Sequence, residues 1–474
     1  MINLFSTHSV SYSSAPLPVP FPSSITAMKA VTLSAVLIAS AAGSALPQGP
    51  QQQQVVFGKP EKGVGHFSEW SRATKREFLI DWQAGKESEW IIVQGNEGGD
   101  LDSMAAALTW AYHLEHKTLN DSDPLKAIAL LQTPSHALDL RPENKVALDN
   151  SQMTKGHQDL LTLDELPEDP ETLGPKLRGL VLVDHAEPLR KWRGARIQSI
   201  FDHHVDRGVA PDAKPRIFEK VASCTTLVAR QMLDELEALP EEYHMPHELL
   251  ELILSAIAID SGGLTSDITT EDDVKVSERI LKRSNWARRD LDDVMEDLAD
   301  ELKDAKKDLD HLELRDLLRR DWKGDLIDTP SPRTPTVSLG FAVVPYSMDN
   351  QITKTDFEEL FDWFAVHAAW TAEVGVDISV VLNKYKVKEH GKKKKIREVV
   401  LVVRDDVRIN QTQADSLFRV AKTALENDKG LGLKPWYRAD ELAPRQMVWT
   451  HESGAGRKII RPIVEDAVTG WDEV

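Results

Sequence analysis

Short apolar runs that end at acids constrain this chain more than any other feature. Trp90–Gln94, Lys126–Leu131, Gly179–Val183 and Ala195–Phe201 have the length of strands, and the last two run straight into Asp184 and into Asp202-His203-His204. Runs this apolar suit strands buried on both faces, hence a parallel sheet. Between the first two, Leu101, Met104, Leu108 and Tyr112 recur at helical spacing. Strands alternating with helices imply an α/β sheet, whose ligands sit at the carboxyl ends of the strands. Asp184, Asp202, His203 and His204 are therefore expected at one rim. Carboxylates beside imidazoles suit a divalent transition metal, the competing reading being a solvated turn.

Further acids fall at equivalent places. Gly95-Asn96-Glu97-Gly98-Gly99-Asp100-Leu101-Asp102-Ser103 is a strand-to-helix turn with an Asp-x-Asp pair. Two close carboxylates repel, and a cation between them keeps both ionised. A helix N-cap is the bland alternative for either one. Ser223-Cys224-Thr225-Thr226 opens a helix reaching about Leu236, and its hydroxyls and amides suit a cap or an anion. The apolar stretch from His247 to Ile259 runs into Asp260, a charge that is costly there without a partner.

With 474 residues, more than one core is expected. The net charge of -19 argues against a general nucleic-acid binder, although a locally basic, metal-loaded cleft tolerates a polyanionic substrate. The one cysteine, Cys224, rules out an intramolecular disulfide. Residues 1–60 read as a disordered leader, within which Met28–Ala45 has the pattern of a secretory signal, with Met28 as an alternative start. That segment is short for a membrane span, and no stable span is expected.

In the second half, Asp290–Asp310 reads as a solvated interdomain helix. Thr336–Val344 reads as a strand, Lys354–Val374 as a helix, and Val376–Val381 and Val399–Val403 as paired strands. Their connection carries Lys392-Lys393-Lys394-Lys395, for which a solvated hairpin tip is preferred over a polyanion site. Ile459–Ile463 reads as a strand after Gly456-Arg457-Lys458.

The ordered set Gly95–Ser103, Leu182–Pro188, Asp202-His203-His204, Ser223–Thr226 and Asp260 resembles the DHH phosphoesterase superfamily, within it the branch of eukaryotic exopolyphosphatases and Prune-like proteins, related to family II inorganic pyrophosphatases. The resemblance implies a doubly wound, mainly parallel DHH domain at 61–290, a helical linker at 291–311, and a smaller C-terminal α/β domain at 312–474, with the active site in the cleft between the two domains. It implies two divalent metal ions, Mn²⁺ or Mg²⁺ with Co²⁺ as a further candidate. Asn96 and Asp100 would face one metal, Asp102 and His203 the other, with Asp184 and Asp260 shared. Asp202 would orient His203, and His204 would contact phosphate. Asp321 and Lys323 resemble the family's C-terminal Asp-x-Lys and would reach substrate phosphates, as would Arg457 and Lys458. Asn96 stands where the pyrophosphatases keep a histidine, which counts against an ordinary pyrophosphatase.

The activity implied is phosphoanhydride hydrolysis, with inorganic polyphosphate cleaved from its end as the expected reaction. Pyrophosphate or a nucleotide phosphodiester is the alternative substrate, and a Prune-like interaction protein with weak activity the alternative of another class. The single-strand exonuclease branch is disfavoured, because no Gly-Gly-Gly-His stretch occurs in the second half. No nucleic-acid partner is expected and the oligomeric state is left open. The family implies a cytoplasmic protein, and a working signal at Met28–Ala45 a secreted one.

Overall fold

The computed structural model describes residues 67–117, 125–153, 158–389, 392–405 and 408–472. The leader and the signal-like segment lie outside the described residues. Among the described residues, no helix is long and apolar enough to cross a membrane.

The apolar runs form the expected sheet. Its strands are β1 (Trp90–Gln94), β2 (Lys126–Leu131), β3 (Leu161–Thr162), β4 (Gly179–Val183), β5 (Ile197–Asp202) and β6 (Arg216–Phe218). They are all parallel, in the order β3-β2-β1-β4-β5-β6. β1 and β4 are buried along their whole length, which is why neither alternates polar with apolar residues. Chain order reverses between β1 and β4, and the loops leaving their carboxyl ends diverge there. A crevice opens at such a point, and it is where open α/β sheets hold ligands.

One face of this sheet is covered by the helix Leu101–His116, buried on all sides from Leu101 to Leu114 between the strands and the helices Cys224–Glu237 and His247–Ser261. The charge-rich segment forms the helix Leu291–Lys307. It is no free linker: Val294, Met295, Leu298, Ala299 and Leu302 enter the same core, and only its other faces are solvated.

The second sheet comprises β7 (Trp322–Asp328), β8 (Thr336–Val344), β9 (Ile378–Glu389), β10 (Lys392–Val403), β11 (Lys434–Pro435) and β12 (Gln446–His451), ordered β11-β12-β10-β9-β8-β7. It is mixed, with only β8 and β9 parallel. The α/β expectation therefore holds for both sheets. Two sequence readings do not. Lys354–Val374 is helical only over Leu360–Glu373, after a separate short helix Met348–Ile352. Residues Arg457–Thr469 are a helix, so Ile459–Ile463 is no strand: Ile460, Val464 and Val468 are its buried stripe, and two adjacent isoleucines before Pro462 mimic a strand.

Candidate metal centre

The centre is assembled at the switch point. After β1 the chain turns through Gly95 and caps the following helix with Asp100, whose carboxylate accepts from the Ser103 amide at 3.1 Å. A Cβ on Gly95 would stand 2.6 Å from the Ser103 Cβ, so only glycine lets the loop lie against the helix start. That closeness lets Ser103 Oγ accept from the Asn96 amide at 3.1 Å and donate to Asp184 Oδ2 at 2.7 Å. Asn96 Nδ2 donates to the same oxygen at 2.6 Å, while its Oδ1 accepts from the Gly98 amide at 2.8 Å. Asn96 thus holds Asp184 through Nδ2 and shapes its own turn through Oδ1, which accepts one bond and keeps a second lone pair.

Asp184 follows β4 with φ of 62°, a left-handed conformation costing a non-glycine residue on the order of 1–3 kcal/mol. The strain turns the carboxylate back over the strand ends, where it is 4 % exposed. Its free oxygen, Oδ1, lies 3.3 Å from His203 Nε2 and 3.7 Å from His204 Nδ1. Asp184, His203 and His204 place ligand atoms within 4.8 Å of one another. The other His203 nitrogen, Nδ1, is 3.2 Å from the Val221 carbonyl, which fixes the ring with Nε2 facing inward. Asp202 departs from its expected role: it accepts from the His204 amide at 3.2 Å and pairs with His204 Nδ1 at 2.7 Å, so it orients His204 and not His203. Its second oxygen is buried without a partner among the described residues.

Asp102 faces the start of the helix Cys224–Glu237. Its Oδ1 accepts from Ser223 Oγ, Thr225 Oγ1 and the Thr225 amide, and its Oδ2 accepts one bond, from the Cys224 amide at 2.7 Å. The Ser-Cys-Thr-Thr motif therefore holds an anion belonging to the protein itself. Oδ2 keeps a lone pair for a cation. Asp260 sits in the last turn of His247–Ser261, which is stopped by Gly262 at φ 67°.

The electrostatics of the cluster are those of a cation site. Burial and the neighbouring Asp184 push Asp102 up to about 6. Burial, with Asp102 and Asp100 nearby, raises Asp260 well above the carboxylate range. His203 is lifted to about 9, because Asp184, Asp102 and Asp202 outweigh the burial that lowers it. Asp100 is lowered to about 2, since Arg141 and Lys323 overcome its burial. Carboxylates that resist ionising side by side, with an inward-facing imidazole, fit divalent cations of the oxygen- and nitrogen-binding kind.

The second sheet supplies cations opposite. Lys323 on β7 lies against the loop, its Cε 2.9 Å from where a Cβ on Gly98 would stand. Arg457 donates to the Asp321 carboxylate at 3.0 Å and to its carbonyl at 3.2 Å. Asp321 also lies 3.7 Å from Arg141, whose Nε donates to the Gly98 carbonyl at 2.9 Å. Asp321 thus lies between two arginines. Lys458 is exposed beside Arg457. Behind them Glu143, 1 % exposed, takes Arg320 at 3.0 Å and Arg141 at 3.5 Å, tying the two sheets together. A cavity of about 490 Å³ beside this network is lined by Gly98, Arg141, Arg319 and Trp322. Arg141 and Lys306, the latter acting on Asp100 and Asp260, were missed by sequence reasoning: neither lies in a motif, and only the fold brings them to the loop.

A parallel sheet with an acid–imidazole cluster at its switch point, followed by a second, mixed sheet, defines a metal-dependent hydrolase-like architecture. The DHH family, N-terminal domain, matches residues 90–257, and the DHHA2 domain matches residues 300–467. A Schizosaccharomyces pombe protein provisionally named an exopolyphosphatase is 31% identical over 272 residues, covering 55% of this chain and 67% of that protein. The exopolyphosphatase PRUNE1 of Rattus norvegicus is 29% identical over 262 residues, 52% of each chain. An Archaeoglobus fulgidus protein, provisionally named a manganese-dependent inorganic pyrophosphatase, is 25% identical over 198 residues, 40% of this chain and 55% of that one. This chain belongs to the DHH superfamily, in its Prune-like branch. It spans about half the length of the PRUNE1 relatives it matches.

Proposed function

We propose that the chain hydrolyses phosphoanhydride bonds with two divalent cations, and that its substrate is inorganic polyphosphate, cut from the chain end. The observation that supports this is the acid–imidazole set at the switch point, Asp100, Asp102, Asp184, His203 and Asp260, with Lys323 lying against its loop and Arg457 bound to Asp321. Relatives named as exopolyphosphatases and as a manganese-dependent pyrophosphatase support it.

Asp184 and His203 would hold the cations, with Asp100, Asp102 and Asp260 completing the donor set; Mn²⁺ is the first ion to try, then Mg²⁺ and Co²⁺. Bound there, such ions lower the pKa of a water and neutralise the oxygens of an in-line displacement. The rest is the chain's own work. Ser103 and Asn96 fix the Asp184 carboxylate in its strained position. Asp202 sets His204, which faces phosphate with Nε2. Lys323, Arg457 and Lys458 offset the charge of the terminal phosphates, the main demand of phosphoryl transfer.

The test is phosphate release by the full chain with Mn²⁺, offered long-chain polyphosphate, tripolyphosphate and pyrophosphate separately. Release from polyphosphate over pyrophosphate is expected. The reverse preference would make it a pyrophosphatase despite Asn96. No release from a folded, metal-loaded protein would leave the interaction-protein reading.

A further inference from the structure

The β9–β10 hairpin runs beyond the second sheet's core, and its two faces differ. Val380, Leu382, Val399 and Leu401 share one core layer with Ile460 and Val464. Side chains alternate along a strand, so that same face continues outward as Lys384, Lys386 and Lys388 on β9 and Arg397, Lys395 and Lys393 on β10. The register sets Lys384 opposite Arg397, Lys386 opposite Lys395 and Lys388 opposite Lys393. Like charges directly opposite one another destabilise a ladder, and here three such pairs stand in succession. The five lysines are exposed, and among the described residues none of the six cations has a carboxylate within ion-pair distance. The other face is ordinary: Tyr385 and Asn383 bond Glu398, and Lys394 pairs with Glu452 at 2.9 Å.

This face joins the cleft. Arg397 Nη1 lies 3.2 Å from where a Cβ on Gly456 would stand, and Gly456 precedes Arg457. Burial together with Arg397, Lys395 and Lys306 holds Lys384 below the usual lysine range, and Lys306 also acts on Asp100 and Asp260. Positive charge therefore continues from the metal centre to the hairpin tip, on a protein whose net charge is -19. From Lys384 to Lys388 the strand advances about 13 Å.

We propose that this face is a track binding the stretch of an inorganic polyphosphate chain that lies beyond the phosphates in the cleft, giving the enzyme its preference for long chains. The inference rests on the reading of the centre as a polyphosphate hydrolase. A polymer of bare phosphates fits better than other polyanions. Among the described residues beyond the core layer, the face carries no aromatic ring on which a nucleic-acid base would stack, and no apolar residue that would enter a lipid surface. An enzyme that cuts only a terminal residue gains from holding the remainder of the chain.

The experiment measures binding of long-chain polyphosphate and of tripolyphosphate in EDTA, without turnover, to the full chain and to its K386Q/K388Q/K393Q/K395Q variant. Binding of long chains is expected to weaken about tenfold or more, with a shallower salt dependence, while tripolyphosphate binding changes by less than about twofold. Equal long-chain affinity in the two proteins would overturn the track. So would stronger competition by single-stranded RNA or by phosphatidylserine vesicles than by polyphosphate at equal charge. Matching thermal melts and matching tripolyphosphate hydrolysis show that the variant is folded. Absence of hydrolysis by the wild type as well would count against the hydrolase reading and leave the binding comparison intact.

Discussion

The carboxyl edge of the first sheet and the β9–β10 hairpin both crowd like charges together, by opposite means. At the sheet edge Asp184 and Asp102 are buried and held by named donors: Asp184 by Asn96 and Ser103, Asp102 by the start of the Cys224–Glu237 helix. On one face of the hairpin Lys384, Lys386, Lys388, Lys393 and Lys395 are exposed to solvent. Burial makes repulsion expensive, shifts pKa values and fixes atoms; solvation screens it and lets charges act by sum. The difference teaches that one loss should be decisive at the edge, whereas the hairpin should fail only gradually.

Asp184→Asn should show this most sharply. Asparagine tolerates the left-handed backbone, so the fold should survive by circular dichroism and melting, while phosphate release falls by about a thousandfold or more. Turnover near wild type would break the comparison. Ser103→Ala removes one donor to Asp184 and should cost about 10- to 100-fold in Mn²⁺ affinity or activity, as losing a group behind a ligand does. Unchanged Mn²⁺ titrations and rates would make Ser103 a structural residue only.

The edge should also respond to pH. Without metal, His203 holds its proton up to about 9, and a protonated imidazole cannot bind a metal. Mn²⁺ must displace that proton, so below pH 9 affinity should climb with pH, by up to about tenfold per unit from this group. Titrations at pH 6.5 and 8 test the sign, and equal affinities would remove His203 from the ligand set. Lys323→Ala should raise KM about tenfold with metal content unchanged, if Lys323 meets substrate as proposed; a protein purified without metal would contradict that placement. At the far end, Lys386→Gln alone should alter long-chain binding by no more than about twofold. A tenfold loss from that single change would make the hairpin resemble the edge after all.

Much of the edge was legible in the linear chain. Strands β1, β2, β4 and β5 announce themselves because burial demands nearly unbroken apolar runs, and Asp184 and Asp202 stand right at the ends of β4 and β5. What escaped was partnership. Asp202 lies next to both histidines, and only backbone direction after β5 decides that it takes His204. Asn96 stood out by its motif position, but its bonds to Asp184 and Gly98 had no sign in the linear chain. Arg141 is 180 residues from Asp321 in the chain and 3.7 Å from it in space, a pairing no local pattern encodes. The Arg457 helix was misread because paired isoleucines satisfy a strand pattern as readily as one turn of an amphipathic helix.

The Arg457–Asp321 pair has a kinetic consequence. An arginine already occupied by a resident carboxylate grips an arriving phosphate less tightly than a vacant one would. On the proposed reading, each incoming anion would displace Asp321 and each departing one would be replaced by it. The carboxylate would then be a standing competitor that lowers retention of the product, so that a site rich enough in positive charge to capture a polyanion could still let phosphate go.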